Sequence, residues 1–464
     1  MAGSKSSSFI NESHPNDWEY LSEGGKHAVF AYKSRAASTS CLFGKVLRVD
    51  KAAFCSANFV SVDLLDRKNM IQIMFQAYLD FPQRVHIDES FLVGLKQQAI
   101  ASNRIHASRK VDWGEDESYC SPVVAELMPN YQHSLSIEIK PKAGYLPTSP
   151  LVHPNHECKY TTSRFQILQQ LNHRGVISKG WNKGSKVMGV ESAFDPIDLF
   201  SRDVDRIHQS VKALFDCPQN NLKVFCGKSM LYGNGYQDCG GNDVQDYRRA
   251  LSLVSHSGPS LQCCDEIFNT LESELIQIVS TILFTDPFLK YLLEKQRYYD
   301  ILDADGAILV YNRLVSLCSS NEEAEMLLDA DLNQRNQHSM STVFIKFVHY
   351  LNTKDRPSNQ THQSWYTIGK TFVKKLEKVE CVELLQNWLL SLVLCDISFF
   401  IILNTNNRNE GCDAENSSYH CVTTTCGLKL HYKIKVVDYD RKPAKKLRKK
   451  ELIEAKIALF YKEL

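Results

Sequence analysis

Two aspartates make the strongest case for chemistry. Asp396 interrupts the apolar run from Trp388 to Leu403, and Asp438 follows directly on KIKVV. A carboxylate in such surroundings is costly unless it is paired, bound to a metal, or satisfied by backbone N–H groups at a strand end. Along EIKPK, extended geometry sends Glu138, Lys140 and Lys142 to one face and Ile139 and Pro141 to the other. At about 3.3 Å per residue the two ammonium groups stand roughly 6–7 Å apart, which suits neighbouring phosphates. The same pattern fits an amphipathic edge strand, since Pro141 favours an edge. Glu23, Gly24 and Gly25 lie between two candidate strands, where backbone N–H groups could approach phosphates or simply form a turn. In GKVLRV, Lys45 shares a face with Leu47 and Arg48 with Val46, so one cation at most points into a cleft.

The elements that must position these residues read as an α+β chain. From Asp17 the order is strand, glycine turn, strand, and residues 57–110 look mostly helical. PVVAELMPNY follows as a strand ending near Pro129, and HSLSIEIKPKAGYLP alternates with period two. That order resembles the small lobe of a two-lobed kinase. The expected organisation is a polar, disordered stretch over 1–16, a small β-rich N-lobe over 17–130 that binds ATP, and a larger mixed C-lobe over 131–464. The run from Trp388 to Leu403 is shorter than the ~20 residues a spanning helix needs and reads as a core helix running into a buried strand. In the tail, Ile453, Ile457, Phe460 and Leu464 form one helical stripe.

The 464 residues carry 54 Lys and Arg against 53 Asp and Glu, a net charge of +1. Nothing global calls for nucleic acid or an anionic membrane, so an anion site must be a local concentration of cations. Fifteen cysteines, an odd count with no C-x-x-C pair, read as free thiols of a reduced intracellular chain, cytoplasmic or nuclear. A monomer is expected. The run RKPAKKLRKK, Arg441 to Lys450, reads as a solvated helix face or a nuclear localisation signal.

EIKPKAGYLP resembles the signature of inositol-pentakisphosphate 2-kinases, and further blocks follow in matching order from about Asp17 to the C-terminus. They are the EGG hairpin with GKVLRV, SRF (163–165), FDPIDLFS (194–201), CPQNNLKVF (217–225), LDADGA (302–307), CDIS (395–398) and VVDYDRKP (436–443). The resemblance implies an ATP- and Mg²⁺-dependent kinase that phosphorylates the 2-hydroxyl of inositol 1,3,4,5,6-pentakisphosphate to give the hexakisphosphate. Two other readings are a catalytically weak paralogue that senses or scaffolds inositol phosphates and a kinase for another inositol polyphosphate. Retention of Arg48, Asp396 and Asp438 together argues against a mere binder.

Residue by residue, the resemblance implies that Glu23, Gly24 and Gly25 cover the nucleotide, Arg48 contacts its phosphates, and the backbone from Leu127 to Asn130 meets adenine. Arg48, Lys140 and Asp396 form the catalytic group, with Asp396 as base. Asp438 and Asp396 take the metal, and Asp440 is a possible further ligand. Substrate phosphates fall to Glu138, Lys140, Lys142, Asn220, Asn221, Lys442, Arg109 and Lys446, whereas Arg448 matches no contact. The chain departs from the family at Ala53, Asn172 and Cys395, where family members carry basic residues, and at Lys446 and Lys450, where an Arg and a Tyr contact substrate. The implied phosphate shell is thinner. With Leu309 at the family's His position and no Cys pair after it, no structural zinc is expected.

Overall fold

A computed structural model describes residues 10, 13–23, 27–33, 42–54, 70–102, 123–131, 134–176, 192–227, 229–233, 244–255, 264–329, 362–404 and 420–462. Gly24, Gly25, Arg109 and the side chain of Glu23 lie outside the described residues. The chain divides into two compact units, Met1–His133 and Ser134–Leu464.

The first unit is built on five antiparallel strands: Trp18–Glu23 (β1), His27–Tyr32 (β2), Lys45–Asp50 (β3), Gln83–Ile87 (β4) and Val123–Pro129 (β5), ordered β1-β2-β3-β5-β4. Among the described residues of 57–110, the two helical pieces form as expected and one segment, Gln83–Ile87, departs from the helical expectation. Met70–Met74 (α1) is a single short helix, and QRVHI is a strand because Val85 and Ile87 alternate into the core while His86 faces out. Glu89–Ala101 (α2) starts at Asp88, whose carboxylate accepts from Phe91 N–H at 2.8 Å. It buries Phe91, Leu92 and Leu95 with Trp18, Phe30, Leu47 and Val49. Residues 13–17, expected in part to be disordered, include a 3₁₀ turn over Pro15–Asp17 capped by His14, and Pro15 packs where a Cβ on Gly94 would stand 2.4 Å away.

The second unit contains a six-stranded antiparallel sheet whose strands lie side by side in the order His420–Thr423, Lys429–Val437, Ser398–Asn404, Leu135–Ile139, Leu222–Cys226 and Ser229–Tyr232. Its first strand in the chain is Leu135–Ile139 (β6), followed by helices Arg164–His173 (α3), Pro196–Leu199 (α4) and Val204–Asp216 (α5). Strands Leu222–Cys226 (β7) and Ser229–Tyr232 (β8) precede Val244–Val254 (α6), Cys264–Thr285 (α7), Phe288–Tyr299 (α8), Asp303–Ser316 (α9), Asn321–Asp329 (α10), His362–Lys374 (α11) and Lys378–Leu394 (α12). Ser398–Asn404 (β9), His420–Thr423 (β10), Lys429–Val437 (β11) and Lys446–Lys462 (α13) complete it.

The run from Trp388 is a core helix entering a buried strand: α12 ends at Leu394, and β9 is buried along its whole length except Asn404. Phe399 packs on Phe288 of α8 at 4.9 Å between ring centroids, and Phe400 lies near Phe225 of β7. Strand β6 is interior, between β9 and β7, and stops at Ile139, so Pro141 lies beyond the strand and removes no ladder hydrogen bond. On α13, Ile453, Ile457 and Phe460 pack on Ile167, Leu168 and Leu171 of α3. Helix α7 includes the one segment among the described residues that is long and apolar enough to cross a membrane. Ile267, Leu271, Leu275, Ile278, Val279 and Ile282 on it are buried, which accounts for its composition as a core helix.

Candidate active site

Three chain segments meet where the sheet of the second unit ends. Strand β9 is preceded by Cys395 and Asp396, β11 is followed by Asp438, and β6 is followed by Lys140 to Gly144. Register explains the juxtaposition: Val437 pairs with Ser398, and Ile139 pairs with Phe399 on the other side of β9. Asp438 adopts a left-handed backbone (φ 61°), as does Lys142 (φ 61°). The alternation expected along Glu138, Lys140 and Lys142 therefore breaks after Ile139. Glu138 pairs with Lys223 at 3.0 Å, Lys140 with Asp438 at 2.6 Å, and Lys142 turns to Asp396 at 3.2 Å. The Lys140 N–H donates to the Asn221 carbonyl at 2.9 Å, carrying the β6–β7 pairing one step further.

Asp396 accepts from two ammonium groups, Lys142 on one oxygen and Lys442 on the other at 2.6 Å. Burial works to raise its pKa, but Lys142 and Lys442 outweigh it and hold the carboxyl well below the usual carboxylate range. Its side chain is still 45% exposed, so it forms pocket wall rather than core. Burial likewise acts to lower the pKa of Lys140, and Asp438 outweighs it, leaving that ammonium raised. Burial pushes the Cys395 thiol up to about 12, with Asp300 adding to the effect, so it stays protonated.

Asp396, Lys142, Lys442 and Cys395 line a pocket of about 310 Å³, whereas Lys140 and Asp438 are not part of its lining. Of the residues singled out in the sequence, it brings together Lys142, Asn220, Asn221, Asp396, Lys442 and Lys446. Asn220 and Asn221 sit in the turn before β7, so the turn and the pocket are the same feature. The wall on α13 is one helical stripe: Lys446, Lys449, Lys450 and Ile453 recur at three- and four-residue spacing. Burial, with Arg164 alongside, depresses Lys450 to about 7, and burial with Lys442 and Lys449 lowers Lys446. Arg448 points elsewhere on the same helix and pairs with Glu325 at 2.9 Å.

Behind the pocket lies a buried ionic cluster that the sequence reading did not foresee. The Lys159 ammonium stands 2.6 Å from Asp303, 3.0 Å from Asp305 and 2.5 Å from Glu454 of α13. Glu454 also pairs with Arg164, and His156 Nδ1 lies 2.9 Å from Asp305. Among the described residues, His156, Asp305 and Glu454 form the one group of three such side chains close enough together to hold a metal, but the lysine ammonium is the cation that contacts both carboxylates.

In the first unit, Arg48 pairs with Glu126 at 3.1 Å, directly across from it in the β3–β5 register. Leu127 is buried in β5, and its pairing with β4 begins there, whereas pairing with β3 extends to Pro129. Asn130 N–H donates to the Gly44 carbonyl at 2.7 Å.

Residues 20–456 match the inositol-pentakisphosphate 2-kinase family. The chain belongs to that family. An inositol-pentakisphosphate 2-kinase of Arabidopsis thaliana is 24% identical over 501 residues, covering 97% of this chain and 94% of its own. One of Oryza sativa subsp. japonica is 27% identical over 360 residues, 68% of this chain and 74% of its own. One of Danio rerio is 24% identical over 294 residues, 60% and 56% respectively.

Within this inositol-pentakisphosphate 2-kinase family member, the pocket also contains Arg164, Gln169, Gln219 and Lys449, which were not assigned from sequence as site residues, and Asn172 and Lys450, noted there only as departures from the family. For Arg164 the SRF block was a usable signal, and for Lys449 and Lys450 the stripe through Ile453 was another. Gln219 lies in a left-handed backbone (φ 45°) and gives no compositional hint, since neither Gly nor Asn marks the position.

Proposed function

We propose that this protein transfers the γ-phosphate of ATP to the 2-hydroxyl of inositol 1,3,4,5,6-pentakisphosphate. The observation that carries the reading is the pocket itself, where one carboxylate, Asp396, sits among six cationic side chains and three asparagine amides. A site so rich in cations suits a ligand bearing several phosphates, each of about −1.5 to −2 charge. Phosphoryl transfer asks mainly for positioning, charge neutralisation and an oriented nucleophile.

In this reading, Lys142, Lys442, Asn220, Asn221 and Lys446 hold substrate phosphates, with Lys140 closer to the transferred group. Arrival of the phosphates draws Lys142 and Lys442 from Asp396, which frees that carboxylate to accept the 2-hydroxyl proton. Asp438 and Asp396 are hard oxygen donors at the mouth of the sheet and fit Mg²⁺, with Asp440 as a further candidate. When bound, the metal neutralises charge on the ATP phosphates. Within the first unit, Arg48 serves the ATP phosphates and the backbone after Leu127 serves adenine. Glu23, Gly24, Gly25 and Arg109 keep the roles implied by the family, and Glu138 orients Lys223 and Lys140 rather than touching phosphate.

The test is incubation with ATP, Mg²⁺ and inositol 1,3,4,5,6-pentakisphosphate. Hexakisphosphate formation supports the reading. Tight binding without turnover favours a sensor, and neither binding nor turnover points to a different substrate.

A pH dependence follows from Lys450. Its charged form is disfavoured in the free pocket by burial and by Arg164, against the weaker pull of the Glu454 and Asp300 carboxylates, so its folded pKa of about 7 lies below its ordinary 10.5. An anion beside it favours the charged form. Affinity for inositol hexakissulfate, whose sulfates do not titrate, is therefore flat below pH 7 and falls up to ~tenfold per pH unit above it. Lys450→Arg flattens the profile, as measured by calorimetry from pH 6 to 9. An unchanged slope in that variant would remove Lys450 from the anion site.

A further inference from the structure

Gln296 is fully buried in α8, at a place where nothing in the packing requires a polar side chain except its three hydrogen bonds. Its Nε2 donates to the Lys142 carbonyl at 2.9 Å and to the Leu394 carbonyl at 3.1 Å, while its Oε1 accepts from Gly144 N–H at 3.1 Å. The two carbonyls demand donors and the N–H demands an acceptor, so the amide orientation is fixed by its partners. Glutamate would turn oxygens toward both carbonyls, and an apolar side chain would leave three buried backbone groups unpaired.

The segments tied together are the two that present the reactive side chains. Leu394 ends α12 two residues before Asp396, and Lys142 and Gly144 flank the turn after β6. Lys142 reaches Asp396 with its ammonium at 3.2 Å, so backbone, Gln296 amide and ion pair form a closed circuit. The turn needs such a restraint because Lys142 holds φ 61°, a conformation that a residue with a Cβ occupies at a cost. It cannot relax toward α4 either, since even a Cβ on Gly144 would fall 2.1 Å from the Phe200 ring.

We infer that Gln296 is a positioning residue of the phosphoryl-transfer site, setting the placement of the Lys142 ammonium relative to the Asp396 carboxylate by holding both backbones on one amide. This rests on the roles given to Lys142 and Asp396 above. It acts only through Lys142 and Asp396 and touches no substrate.

A double-mutant cycle tests it. Gln296→Met, nearly the same in volume but without amide groups, is combined with Lys142→Met, each variant first checked for native circular dichroism. For Gln296→Met, kcat/KM toward inositol pentakisphosphate should fall about 10–100-fold, the scale of a small misplacement, with KM for ATP changed less than twofold. In the Lys142→Met background the same substitution should cost several-fold less than in wild type, because one of the two side chains whose relative placement it sets is gone. Losses that multiply, or a single variant within twofold of wild type, would overturn the inference. Should wild type fail to phosphorylate inositol pentakisphosphate, the substrate reading fails separately, and the same cycle read as inositol hexakisphosphate affinity by calorimetry decides the positioning role. Gln296→Asn, which keeps the amide one methylene short, replaces Gln296→Met if the latter does not fold.

Discussion

Asp396→Asn should lower kcat for pentakisphosphate phosphorylation by roughly 10²–10⁴-fold, the span expected for loss of a positioned general base. The substitution keeps the shape of the side chain and one acceptor oxygen, so the fold is spared. It removes the negative charge that holds Lys142 at 3.2 Å and Lys442 at 2.6 Å. Both ammonium groups then face the pocket without a competing carboxylate. Affinity for inositol hexakisphosphate should therefore be retained or rise, which calorimetry measures directly. The opposed changes in rate and affinity separate a base from a structural anchor, since an anchor would weaken both. Turnover within tenfold of wild type would assign the proton to another group.

How much of this was legible in the sequence depends on whether the signal was local. Asp396 and Asp438 could be picked out because an ionised side chain beside apolar runs has few explanations, and their placement just before β9 and just after β11 puts both at a common end of the sheet. The helix-to-strand transition at Leu394 and the α13 stripe were legible for the same reason, since periodicity is carried by neighbours in the chain. What could not be read depended on backbone conformation or on distant partners. The turn at Lys142 breaks the period-two rule through a left-handed residue that no glycine announces. Strand β4 was hidden in a stretch read as helical because QRVHI is short and only Val85 and Ile87 carry its alternation. The cluster around Lys159 joins residues from four places in the chain, separated by as much as the distance from His156 to Glu454, and no window contains it.

That cluster supports the largest expected effect on stability. Lys159→Met should destabilise the folded protein by about 3–5 kcal/mol, the usual cost of stranding buried charges by removing one partner. The lysine is almost completely buried, and Asp303, Asp305 and Glu454 all converge on it. Burial acts to lower its pKa, and Asp303, Glu454 and Asp305 outweigh burial and raise it, so the ammonium is charged throughout the working range. Burial acts to raise Glu454, but Arg164 and Lys159 hold it down at about 2, against an ordinary 4.5. A depressed carboxylate contributes stability that is present above its ordinary pKa and is lost as pH falls through its folded value. The gap between wild type and Lys159→Met should accordingly be full at pH 7 and narrow as pH drops from about 4.5 toward 2, where the stranded carboxyls become neutral. Denaturant midpoints across that range measure it. The consequence for the site comes through α13: Glu454 anchors the helix whose stripe carries Lys446, Lys449 and Lys450 into the pocket. Where the variant remains folded, its affinity for inositol hexakisphosphate should fall together with its stability. A gap independent of pH would mean that the carboxylates find other partners and that Lys159 contributes only its packing.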